Sequence, residues 1–149
     1  MVERIIEGDR NYLTEEESKV INESLQAIEE NIDNLVFNAQ VIKDGFVTDW
    51  ISFTLTKENI ESISVNLDWQ YDEYYINVKE PVIMQYIDGE PKHDKSINIE
   101  VVTEDIAISN DEDFLRGDYD EDTYKVGEAD SYYRLVGEVN GTKYYYREM

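Results

Sequence analysis

From Ser62 to Trp69 the chain alternates without exception, with Ile63, Val65, Leu67 and Trp69 apolar and Ser62, Ser64, Asn66 and Asp68 polar. A period of two is what a strand with one buried face requires, because successive side chains point to opposite faces of a sheet. A helix would scatter the same apolar residues around its circumference. The neighbouring residues share the pattern. Val36 to Lys43 and Phe46 to Thr54 flank Asp44-Gly45, a dipeptide suited to a two-residue type I′ turn because both positions tolerate positive φ. That turn sets the register, with Lys43 facing Phe46 and Ile42 facing Val47; Ile51, Phe53 and Leu55 then share one face, and Phe46, Thr48 and Trp50 the other. Tyr74, Ile76 and Val78 continue the alternation against Tyr75, Asn77 and Lys79. Pro81 is expected to end it, since proline cannot donate to a central ladder. Val36 to Val78 thus reads as an antiparallel meander on which the rest of the chain is hung.

A helix precedes it. The Thr14 hydroxyl can accept from the Glu17 N–H while the Glu17 side chain reaches back, a capping box that places Glu15, Glu16 and Glu17 at the positive end of the helix dipole. Ile21, Leu25, Ile28, Ile32 and Leu35 then recur at helical spacing, while Glu16, Glu23, Glu29, Glu30 and Asp33 fall largely elsewhere. The helix is expected from about Glu15 to Asn34. Its stripe is too short for a sustained coiled coil and leads straight into strands, so it is expected to pack on the sheet. Burial of each such side chain contributes roughly 1.5 to 3 kcal/mol.

Val82 to Ile87, closed by Asp88-Gly89, and Ser96 to Thr103 read as further strands, with His93 in a polar loop, Pro91 to Lys95, between them. Asn140-Gly141 is a second type I′ signal, joining Tyr132 to Val139 with Thr142 to Glu148 and setting Glu138 opposite Lys143. The expected fold class is α+β: a single domain over residues 1–149, its N-terminal helix packed on a mostly antiparallel β-sheet with hairpins at Asp44-Gly45 and Asn140-Gly141.

Composition narrows function more than any motif does. Thirty-five Asp+Glu against 13 Lys+Arg leave a net charge of -22. Such a field repels phosphate, and the bases are scattered singly, so neither nucleic acid nor an anionic membrane is expected as a direct ligand. The absence of cysteine excludes disulfides, thiolate metal sites and cysteine nucleophiles. The first residues carry no apolar signal core and no stretch is long enough to span a bilayer, so the expected compartment is the cytoplasm.

Catalytic signatures are missing. There is no glycine-rich phosphate loop, nucleophile elbow or HExxH, and the only histidine, His93, stands beside Asp94 in the expected loop. Asn110 to Asp122 carries seven acids against Arg116 alone. Aligned as an EF-hand from Asp118, Asp120 and Asp122, it has Thr123 where glycine is needed and Ala129 where the bidentate glutamate belongs, so no metal and no cofactor are expected. Arg116-Gly117-Asp118 spells an adhesion tripeptide that nothing else in the chain supports.

The remaining signal is surface chemistry. Eleven of the twelve tyrosines follow residue 70, several of them adjacent, and neighbours on a strand face opposite ways. One of each pair is therefore expected to look outward, where tyrosine beside carboxylate suits a protein interface. The expected partner-binding set is Asp111, Asp113, Asp118, Asp120, Glu121 and Asp122 with Tyr132, Tyr133, Tyr144, Tyr145 and Tyr146. A non-catalytic protein of this character would neutralise a basic partner, as bacterial immunity proteins and antitoxins neutralise nucleic-acid-acting toxins or nucleases. Two alternatives predict different surfaces. A phage-type DNA mimic acting against restriction or CRISPR systems needs carboxylates at phosphate-like spacing, and a ligand-binding or enzymatic module needs a concave pocket with convergent polar groups.

Overall fold

The computed structural model describes residues 2–10, 12–68, 72–110 and 133–149. Strand β1 (Glu3–Gly8) is followed by helix α1 (Glu15–Asn31) and a 3-10 turn (Ile32–Asn34). Strands β2 (Val36–Lys43) and β3 (Phe46–Thr54), a second 3-10 turn (Lys57–Asn59), and strands β4 (Ile60–Leu67), β5 (Asp72–Ile87) and β6 (Glu90–Thr103) come next. Helix α2 (Glu104–Asn110) and the hairpin of β7 (Arg134–Val139) and β8 (Thr142–Glu148) complete the order. The class is α+β: one long helix on a mostly antiparallel, eight-stranded sheet.

Helix α1 starts where its capping box predicts, with both halves of the Thr14–Glu17 exchange formed. Ile21, Leu25, Ile28, Ile32 and Leu35 are all buried. They cover one face of the sheet, built from Ile63 and Val65 of β4, Tyr74, Ile76 and Val78 of β5, Ile97 and Ile99 of β6, and Tyr144 and Tyr146 of β8. The last turn of α1 runs so close to β7 that any side chain at Gly137 would collide with Asn31. At the opposite margin Arg4 of β1 pairs with Glu29 of α1, its Nε donating to Oε2 at 2.8 Å.

Two turns have the predicted chemistry, Asp44-Gly45 and Asn140-Gly141, and Asp88-Gly89, expected only to close a strand, shares it: all three have positive φ at both positions, as type I′ turns demand. Lys43 pairs with Phe46, Ile42 with Val47, and Glu138 with Lys143.

The meander is where the structure departs from expectation. Among the described residues strand β3 pairs with β2 alone and forms no ladder with β4. At the intervening turn, Asn59 exchanges hydrogen bonds with the Glu80 backbone, accepting its N–H at 2.8 Å and donating to its carbonyl at 3.2 Å. That exchange directs β4 along β5 instead of back along β3. The sheet order is β1-β4-β5-β6-β8-β7, and two ladders, β1 with β4 and β2 with β5, are parallel. Nor does Pro81 end a strand. Strand β5 runs through it, because β4 pairs only as far as Val78 and β2 joins only at Gln85. Pro81 lies between, in the register break from Asn77 to Val82, where a missing N–H costs no ladder bond. His93 is correspondingly a strand residue of β6, opposite Ile83, and not part of a loop.

Candidate functional site

The predicted acidic cluster, Asp111, Asp113, Asp118, Asp120, Glu121 and Asp122, and Tyr132 lie outside the described residues. The other four tyrosines are described, and Tyr133, Tyr144, Tyr145 and Tyr146 are all buried, which overturns the outward expectation for the Tyr144–Tyr146 run; in the Tyr74–Tyr75 pair Tyr74 is buried and Tyr75 half-buried. The alternation itself holds. Tyr144 and Tyr146 face α1, and Tyr145 faces the other way, but that second face is covered by α2, whose Ala107 packs with Tyr133, Tyr145 and Val102. Facing away from the helix is thus not the same as facing solvent.

Each of these hydroxyls is committed to the fold. Tyr144 donates to Oε1 of Glu23 at 2.7 Å, and Asn140 donates to Oε2 of the same carboxylate at 2.9 Å. Glu23, expected on the polar side of α1, is only 6% exposed. The bonds from Tyr144 and then Asn140 hold its carboxyl below the ordinary glutamate range, whereas burial, followed by the bond to Glu23, pushes the Tyr144 phenol up. Tyr146 donates to the Val36 carbonyl at 2.9 Å and accepts its N–H at 2.8 Å, anchoring the start of β2. On the second face Tyr145 donates to Glu104 at 3.2 Å. Tyr133 donates to Glu100, which Arg147 also engages at 3.1 Å while its guanidinium lies 4.7 Å from the centre of the Tyr133 ring. Burial raises the phenols of Tyr133, Tyr145 and Tyr146 as well. Carboxylates placed beside tyrosine here hold the protein together and do not wait for a partner.

Open chemistry gathers instead on the β2–β3 hairpin. Of the nine residues of β3, only Trp50 and Phe53 are half-buried and the rest are exposed, with Phe46 at 75%, Val47 at 41% and Ile51 at 46% of their accessible surface. Asp44, at the tip of this hairpin, donates its N–H to Oδ1 of Asp88 at 3.0 Å, and the Asp88 N–H returns to the Ile42 carbonyl at 2.9 Å. The two turns are thereby fixed side by side. Asp44 precedes the apolar residues at the tip and Asp49 lies among them in β3, while Asp88 and Glu90 belong to the β5–β6 turn across β2, where Lys92 is drawn to Glu90 at 3.6 Å. The register of Phe46, Val47 and Ile51 was legible in the sequence, and Asp49 and Gln40, which interrupt the face of Ile51, marked its outer end as wet; that both faces of β3 are open was not legible.

A cavity of about 550 Å³ lies behind the hairpin, lined among others by Gln40, Trp50, Gln85, His93 and Asn98. Gln85 donates to Gln40 there at 3.1 Å, Oδ1 of Asn98 is buried without a hydrogen-bond partner among the described residues, and Asp94 accepts from the N–H groups of Lys95 and Ser96. Among the described residues no cluster of three His, Asp or Glu side chains could hold a metal ion, and no helix is long and apolar enough to cross a membrane. Comparison with family models, with curated proteins and with solved structures finds no match for this chain.

Proposed function

We propose that this protein is a non-catalytic inhibitor that neutralises a basic protein, of the immunity or antitoxin kind directed at a nucleic-acid-acting toxin or nuclease. The observation that carries this reading is the net charge of -22. A nuclease must offer a basic cleft to phosphate, and a strongly acidic protein is attracted to that same cleft over distances of about a Debye length. The proposed site of action is the cytoplasm. Buried tyrosines do not belong to the contact surface on this reading; the surface is the acidic exterior together with whatever apolar residues it leaves open.

The test is to retain basic proteins from a host lysate on the immobilised chain at low salt, purify what is retained, and measure its association kinetics and its nuclease activity. Association should slow steeply with added salt while dissociation changes little, and nuclease activity should fall at stoichiometric inhibitor. Replacing Asp118, Asp120, Glu121 and Asp122 together by their amides should slow association further. Retention of no basic protein, or retention without inhibition, would refute the proposal.

A further inference from the structure

We infer that β3 is the docking strand for the basic partner, which adds a strand of its own to the outer edge of Phe46–Thr54. The inference rests on the proposed function and names its contact surface. An edge strand presents a row of unpaired N–H and C=O groups, and folded proteins ordinarily blunt such edges with lysine, proline or inward charges. Among the described residues the sheet has three outer strands. On β1 the sequence carries Glu3, Arg4 and Glu7, and β7 carries Arg134 and Glu138 and breaks register between Leu135 and Gly137. Strand β3 is longer than either and carries neither lysine nor proline; its only charge is Asp49. Phe46, Val47 and Ile51 stand open along it. An open apolar edge in so acidic a chain is the opposite of a solubility device, and it provides the main-chain bonds and side-chain contacts that strand addition uses.

Charge decides the occupant. A second copy would bring another net charge of -22 to the same edge and would set one Asp49 near another. A basic strand instead meets Asp44 at the hairpin tip and Asp49 within β3, beside the exposed Phe46, Val47 and Ile51, so that carboxylates flank the apolar contact.

The probe is a synthetic peptide alternating lysine with valine and isoleucine, set against a scrambled peptide of the same composition and against polylysine. The alternating peptide should bind at least about tenfold more tightly than either control. It should also slow amide exchange at every second residue of β3, because only one edge of the strand is free. Val47→Lys and Ile51→Lys, at exposed positions, should abolish that preference while leaving the circular dichroism unchanged. If all three peptides bind alike in a salt-dependent way and β3 amides are unprotected, the docking strand is refuted and the basic partner survives. If none binds at low salt, the basic partner is refuted as well. A dimer in sedimentation that Ile51→Lys dissolves would overturn the choice of occupant. Protection confined to β3 in the native chain bears out the inference even where a lysine variant unfolds.

Discussion

Strands β3 and β4 are adjacent in sequence, both read as strands from their residues, and they end in opposite environments. Strand β4 is flanked by β1 and β5 and lies beneath α1; Ile63 and Val65 are fully buried, and even Ser62 and Ser64 on its other face are closed off, both accepting from Asn77 at 2.9 and 3.2 Å. Strand β3 is the more aromatic of the two, yet among the described residues it has a single neighbouring strand, and both of its faces reach solvent. A hydrophobic period reports that a segment is a strand and which residues share a face. It does not report how many neighbours the strand has, because ladder partners are chosen by distant segments. A protein that leaves its more apolar strand open has a use for it or has something to cover it.

The largest expected effect sharpens this contrast in β4. Ile63→Ala removes a fully buried side chain between α1 and the sheet, where neighbouring residues are too constrained to close the gap. It should cost about 2 to 5 kcal/mol, read as a lower urea midpoint at unchanged slope. A loss below about 1 kcal/mol would mean that α1 does not clamp this face as described.

Much of the scaffold was legible before any coordinates. The capping box at Thr14, the stripe of α1, the hairpin turns at Asp44-Gly45 and Asn140-Gly141 and the registers at Lys43–Phe46 and Glu138–Lys143 all rest on chemistry within a few residues, and all were found. Three features were not legible. That β4 passes β3 by, that β5 continues through Pro81, and that α2 covers Tyr133 and Tyr145 each depend on contacts between segments far apart in the chain. Pro81 is the clearest case, since proline terminates a strand only where a ladder bond is needed, and the need is set by β4 and β2 rather than by β5 itself. The tyrosine surface failed for the same reason: the alternation gave the direction of Tyr145 correctly but could not reveal a helix lying over it.

An intermediate effect concerns the carboxylate–phenol pairs on the buried side of the contrast. Tyr144→Phe leaves the buried Glu23 with only its bond from Asn140 and should cost about 1.5 to 3 kcal/mol near neutral pH. The pH dependence follows from the two shifts. Glu23 is depressed below its ordinary value of 4.5 in the fold, so its contribution is complete above that value and is lost as pH falls through the folded one. Tyr144 is raised above 10.0, so its contribution is complete below that value and declines as pH rises beyond it. The difference in stability between the native chain and Tyr144→Phe should therefore be widest between those limits and narrow towards both. A difference that grew on acidification would contradict the pairing.

The smallest expected effect falls on β3 and is the one most able to break the comparison. Ile51→Ala deletes the same atoms as Ile63→Ala, in a strand whose outer edge has no partner among the described residues and at a position 46% exposed. Little apolar surface is returned to water and no closed cavity is left, so the change should stay within about 0.5 kcal/mol. Run in the same urea series, the two isoleucine variants differ only in the neighbours their strands have. A cost for Ile51→Ala approaching that of Ile63→Ala would show that β3 is covered in the intact chain, and it would remove the open edge on which the docking inference depends. A near-zero cost, with β3 amides exchanging far faster than those of β4, would leave β3 as a preformed strand that the fold itself does not need, free to be spent on a partner.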